Sequence, residues 1–172
     1  ALPIYEGGVL RKVLGLDLSL TGLGMVVLGS EGEVLFSETV GERLSRSASV
    51  REKIERLLYL SGRVLETVEA HEPDAVVIED YAYGAKFGAT FDLGELGGVV
   101  KTSLWLRCKI EPVMVGSGAA RKVVLGHGRP KKAEIIPMLK KMGIVFKDHN
   151  EADAYVVAEW LRATSKEEKE KR

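Results

Sequence analysis

The sequence predicts an α/β fold: a five-stranded mixed sheet, an antiparallel meander joined to parallel strands, with helices on both faces. Three observations predict it. Apolar and alternating runs separated by short turns fill residues 12–40. A long stretch with helical apolar spacing follows. The run A-V-V-I-E over 75–79 then has the composition of a central parallel strand, apolar on both faces.

Element by element, residues 1–10 read as a short N-terminal arm. The run K-V-L-G-L-D-L over 12–18 is apolar around a single acid, 23–28 is a second apolar run, S-E-G-E over 30–33 is a turn, and 34–40 alternates with period two. These make a three-strand meander. Over 49–70, Val50, Ile54, Leu57, Leu58, Leu65 and Val68 mark one face of an amphipathic helix, and Pro73 ends the connection. A Gly- and Tyr-rich loop covers 80–90 after the strand at 75–79. Residues 93–106 read as a helix despite Gly94, Gly97 and Gly98; each glycine costs roughly 1 kcal/mol against alanine, so close packing is expected there. Residues 110–115 form another strand, 116–130 a Gly-rich basic loop, and 131–142 and 151–163 two further helices. The tail over 165–172 alternates acid and base, as a solvated helix end or a disordered tail does. The order β-β-β-α-β-α-β-α-α contains no repeat, and 1–172 reads as a single domain.

A chain of 172 residues, 45% hydrophobic and 29% charged, has the profile of a soluble globular protein with a sizeable core. No run is long and apolar enough for a bilayer, and the first residues lack a signal-peptide layout, so a cytoplasmic protein without membrane contact is expected. The one cysteine, Cys108, excludes an intrachain disulfide and a Cys-rich zinc site. Its neighbours Leu106 and Ile110 predict a small buried hydrophobe. The net charge of zero argues weakly against a nucleic-acid partner. Yet Arg121, Lys122, Arg129, Lys131 and Lys132 gather in one stretch, and a neutral total accommodates a basic face.

Ligands in open α/β sheets bind beyond the carboxyl ends of strands. Asp17 lies near the end of the first strand and Glu79 at the end of the fourth. An acid there is costly unless it is paired or holds a cation. Asp153 opens the last helix, inside D-H-N-E-A-D-A over 148–154, and a helix start can be brought against the sheet top. Each has an ordinary structural role open to it: Asp17 as a turn cap, Glu79 as a lysine partner, Asp153 as an acid favoured by the helix dipole. Their joint placement points to a metal site, and oxygen-only ligands select Mg²⁺ or Mn²⁺ over zinc.

V-L-G-L-D-L-S-L-T-G-L-G-M-V-V-L over 13–28 resembles the first hairpin of RuvC-type Holliday-junction resolvases, members of the RNase H-like superfamily. V-V-I-E-D-Y-A-Y-G over 76–84 resembles their second acidic strand. G-E-L-G-G-V-V-K over 94–101 and N-E-A-D-A over 150–154 are similar to the bacteriophage branch of that family. The first motif is shared with actin-like ATPases and other RNase H relatives; the four in order are more specific, and they span about residues 12–162. The resemblance implies an RNase H-like fold and a homodimer that resolves four-way DNA junctions by paired nicks. It also implies Asp17, Glu79 and Asp153 as metal ligands. The family's fourth ligand, Asp or His three residues before the last Asp, is Asn150 here. The amide oxygen of Asn150 is a candidate for that place, as are Asp148 and His149.

Two Mg²⁺ or Mn²⁺ ions clamping the scissile phosphate would follow, with no small-molecule cofactor. Asp17 is the expected bridging ligand, and His149 either moves protons, ligates, or is structural. Arg121, Lys122, Arg129, Lys131 and Lys132 are candidate phosphate contacts, or a solvated surface, and Lys86 is another. Tyr83 or Phe87 could stack on junction bases, or pack under the loop. The alternatives are an actin-like phosphotransferase, a non-catalytic binder of branched DNA, and an RNase H-like nuclease acting on other branched or hybrid substrates.

Overall fold

Residues 10–80 and 87–170 are described in the computed structural model, with side chains over 10–80 and 91–167. The predicted meander is present as β1 (Lys12–Asp17), β2 (Leu23–Gly29) and β3 (Val34–Val40). The long amphipathic stretch forms α1 (Val50–His71). Its start is fixed by a capping box, in which the Ser49 hydroxyl accepts from Glu52 N while the Glu52 carboxylate accepts from Ser49 N. β4 (Ala75–Glu79) is buried along its first four residues, as its composition predicts. Then come α2 (Phe87–Ser103), β5 (Val113–Val115), α3 (Ser117–Leu125), α4 (Lys132–Lys141) and α5 (His149–Glu170).

The sheet order is β3-β2-β1-β4-β5, antiparallel through the meander and parallel across β1, β4 and β5. Side chains alternate between faces. Leu14, Leu16, Val76 and Ile78 therefore join one core with Leu60, Val64 and Val68 of α1 and Leu96 and Val100 of α2. Val13, Ala75, Val77, Val113 and Val115 join a second core with Ala154, Val157, Ala158 and Leu161 of α5. Asp17 and Glu79 share the parity of this second set and project toward α5.

Helix α5 lies directly on strand backbone. A Cβ at Gly15 would stand 2.1 Å from the Ala154 carbonyl oxygen, and one at Gly24 2.1 Å from that of Asn150. Only glycine tolerates such an approach.

Several expectations are corrected. The 116–130 segment contains a helix: A-A-R-K-V-V-L is rich in helix formers, and the glycines sit at its ends, Gly116 before it and Gly126 closing it with φ 73°. α2 starts earlier than expected and continues as a π-helical turn over Leu104–Cys108, ended by Lys109 at φ 58°. The strand over 110–115 shortens to three residues. Gly94 and Gly98 do not serve close packing among the described residues, where a Cβ at either meets nothing within 4 Å. Cys108 is only half-buried and Leu106 is exposed. No helix among the described residues is long and apolar enough to cross a membrane.

Gly15→Ala should destabilise the fold by about 1–3 kcal/mol through overpacking. Gly62→Ala, mid-helix in α1 with open space around it, should instead stabilise by up to about 1 kcal/mol. Urea denaturation of the two variants checks this; equal effects would refute the close approach of α5.

Candidate active site

Parallel pairing sets Leu16 beside Ile78, so the next residues, Asp17 and Glu79, emerge side by side at the carboxyl ends of β1 and β4. Strand spacing is about 4.8 Å there. Above them stands Asp153, 4% exposed. It lies on the second turn of α5, since the helix begins at His149 and not near Asp153 as expected. Its partners are cations: Arg121 Nη2 of α3 donates to Oδ1 at 3.0 Å, and Lys132 Nζ of α4 lies 3.7 Å from Oδ2. The Ser117 hydroxyl, on the first residue of α3, is close enough to the Glu79 carboxylate to favour its charged form.

Burial sets the electrostatics. The Asp17 carboxyl is pushed up to about 8, chiefly by desolvation, then by the charges of Glu79 and Asp153, with Lys132 and Arg121 opposing. Glu79 is raised to about 7 by burial and by Asp153, against the pull of Arg121, Lys132 and the Ser117 hydroxyl. The two cations thus balance Asp153 and leave Asp17 and Glu79 under-compensated. Among the described residues no three acidic, His or Cys side chains already close around one point, and the oxygens of Asp153 face Arg121 and Lys132. The donor set, buried carboxylates with surplus negative charge, fits a hard divalent cation.

Asn150 lies one turn before Asp153 on the same helix face. Its side chain sits over the β1–β2 hairpin: a Cβ at Gly22 would be 2.7 Å from Nδ2. Gly24, against which the Asn150 carbonyl packs, pairs with Asp17. Asn150 therefore adjoins the acidic strand end. Asp148 does not. Its Oδ1 accepts from Thr39 Oγ1 at 2.9 Å, Asn150 N at 2.9 Å and Glu151 N at 3.0 Å, the geometry of a helix N-cap. In the free protein this oxygen thus serves as a cap. His149 Nδ1 is buried with no hydrogen-bond partner among the described residues.

Of the cations expected to meet DNA, Arg121 and Lys132 join the acidic cluster. Lys122, Arg129 and Lys131 are exposed. Tyr83 and Lys86 lie outside the described residues, and Phe87 opens α2 with its side chain outside them. Sequence reasoning missed Ser117, whose signal was its place two residues past a strand that pairs with Glu79. It also passed over Glu151, an acid 2% exposed and balanced by Lys147 Nζ at 2.9 Å.

A profile of the family described as crossover junction endodeoxyribonuclease RuvC matches residues 13–159. The chain is 28% identical over 152 residues to the crossover junction endodeoxyribonuclease RuvC of Agrobacterium fabrum, covering 86% of each chain. It is 27% identical over 131 residues to that of Variovorax paradoxus, 76% of this chain and 71% of the relative. Among solved structures it is similar to Thermus thermophilus RuvC in complex with Holliday junction substrate, with TM-score 0.75 and 23% identity over 92% of this chain and 96% of that one. It is also similar to the yeast mitochondrial Holliday junction resolvase, with TM-score 0.61 and 15% identity over 95% and 81%.

The raised carboxyls carry a stability consequence. Between the ordinary carboxylate range and about 8, the unfolded chain releases a proton that folded Asp17 keeps, so metal-free stability falls as pH rises through that window. Asp17→Asn removes this penalty. In EDTA its Tm should exceed that of the unsubstituted protein at about pH 8.5, by about 2–4 °C for each kcal/mol relieved, and the gap should close toward about pH 4. A gap independent of pH would contradict the assignment.

Proposed function

The chain belongs to the RuvC family of crossover junction endodeoxyribonucleases, and from that premise we propose that Asp17, Glu79, Asp153 and Asn150 form the cutting centre of a Holliday junction resolvase. Family membership makes it a metal-dependent nuclease acting on four-way DNA. The observation that carries the site is the convergence of two desolvated strand-end carboxyls with a buried helix carboxylate from the opposite layer.

Two Mg²⁺ or Mn²⁺ ions are proposed to bind there. When bound, they supply Lewis acidity that lowers the pKa of the attacking water and balances charge on the leaving 3′ oxygen. Asp17, central in the sheet, is the group suited to be shared, with Glu79 and Asp153 flanking it. Asn150 offers a neutral amide oxygen as fourth donor. The Ser117 hydroxyl lies near Glu79 and favours its charged form. Arg121 and Lys132 are charge partners of Asp153 in the free protein and are proposed to turn to phosphate oxygens once the carboxylate is otherwise engaged. Lys122, Arg129 and Lys131 extend that contact, and Tyr83, Lys86 and Phe87 remain proposed junction contacts.

A homodimer is part of the proposal. Along α2, Gly94 and Gly98 leave an open face, and Phe91, Trp105 and Leu106 are exposed large hydrophobics, 53–68% accessible. Such a face suits a second copy placing two cutting centres on one junction.

The deciding experiment is cleavage of an end-labelled synthetic four-way junction beside a linear duplex, with Mg²⁺, Mn²⁺ or EDTA. Paired, symmetric nicks confined to the junction and abolished by EDTA are expected; cutting of the duplex at the same rate would sink the reading. Asp17→Asn should lower the rate by at least ~10³-fold while keeping junction binding. Arg121→Gln should tighten Mn²⁺ binding to the free protein, because one competing cation is gone, yet slow cleavage about 10²-fold or more. Calorimetry and single-turnover rates measure the two effects, and weaker Mn²⁺ binding would remove Arg121 from its place as counter-ion.

A further inference from the structure

Strand β3 is antiparallel to β2, as β1 is, so β3 ends at the same edge of the sheet as β1. The register runs Asp17 to Gly24 to Thr39 across three strands, which is about 10 Å at normal strand spacing. The segment leaving that end, 41–49, reads G-E-R-L-S-R-S-A-S.

This segment is held in place. A Cβ at Gly41 would stand 2.3 Å from Thr21 backbone atoms, and Glu42 N donates to Leu20 O at 3.3 Å, tying the segment to the β1–β2 hairpin. A turn follows, with Ala48 N donating to Ser45 O at 3.1 Å and the Ser45 and Ser47 hydroxyls 2.9 Å apart. Ser49 then caps α1. Arg43 and Arg46 project from this braced segment. Both are exposed, and neither has an ion-pair partner among the described residues. The contrast is with Arg51 and Arg63, close by in sequence, which are paired with Glu55 and Glu38. Glu52 is engaged by the Ser49 cap.

We propose that Arg43 and Arg46 form a second phosphate-binding strip, gripping the DNA backbone on the β3 side of the acidic centre, across the sheet end from Arg121 and Lys132. The proposal rests on the reading of this sheet end as a junction-cutting site. Residues three apart span up to about 10 Å, enough to meet neighbouring phosphates of one strand. Two cationic strips flanking the carboxylates suit strands that diverge from a branch point, where one strip holds the strand being cut and the other a neighbouring arm. Guanidinium groups suit the task because their planar fork matches phosphate oxygens in pairs. A preformed segment loses little conformational freedom on contact.

The test is equilibrium binding of a labelled four-way junction in EDTA, titrated across salt concentration, for the unsubstituted protein, Arg43→Gln with Arg46→Gln, and Arg43→Lys with Arg46→Lys. The glutamine pair should flatten the slope of log affinity against log salt by about 0.9 per lost contact, and the lysine pair should keep most of it. Thermal melts matching the unsubstituted protein establish that the variants are folded. A glutamine pair with an unchanged salt slope overturns the strip while the cutting site stands. If the unsubstituted protein binds no junction at all, the cutting-site reading and the strip fall together.

Discussion

Helix α5 lies so near β1 and β2 that a methyl group on Gly15 or Gly24 would meet its backbone at 2.1 Å, and this approach governs what the sheet end can do. It places Asp153, on the second turn of α5, over strand-end carboxyls on another layer. It also removes water from between them, which is the largest cause of the upward shifts at Asp17 and Glu79. A helix set even one side chain further out would admit solvent and leave ordinary carboxylates. The small residues Ala152, Ala154 and Ala158 on α5, all fully buried, serve the same closeness from the other side.

The electrostatics follow from that geometry. Carboxylates gathered away from water must take up protons, bind cations, or pair with basic side chains. All three remedies are visible or implied at this site. Asp17 and Glu79 hold protons more tightly than usual, Asp153 is paired with Arg121 and Lys132, and the remaining surplus of charge suits a divalent ion. The cluster differs in this from Glu151, equally buried on the same helix. That acid is balanced by the ammonium of Lys147, whose own pKa it raises.

Strand content and topology were largely legible because their signals are local. The apolar run over 75–79 and the alternation over 34–40 coincide with β4 and β3, and the helical spacing over 49–70 coincides with α1. What escaped was set by tertiary or competing terms. The glycines over 116–130 suggested a loop, but they sit at the ends of α3 and the residues between favour a helix. Asp148 reads as a ligand by its chemistry, yet its oxygen is held by backbone donors and by Thr39, 109 residues away in the chain. Asp17 and Glu79 could be picked out because strand ends are where acids are conspicuous. Their relation to Arg121 and Lys132 could not, since it depends on how α3 and α4 pack beside α5.

Asn150 gives the arrangement its direction. A fourth carboxylate at this position would add negative charge beside Asp17, whose proton is already hard to remove. The amide supplies an oxygen without that cost, so the metal-free site stays closer to neutrality with Arg121 and Lys132 in place. The same neutrality makes a full load of divalent charge harder to hold by protein groups alone. A scissile phosphate would supply the missing negative charge and, at the same time, an alternative partner for the two cations. On the proposed assignment, metal occupancy and DNA binding would therefore be coupled, and Asp153 would exchange Arg121 and Lys132 for a cation when substrate arrives.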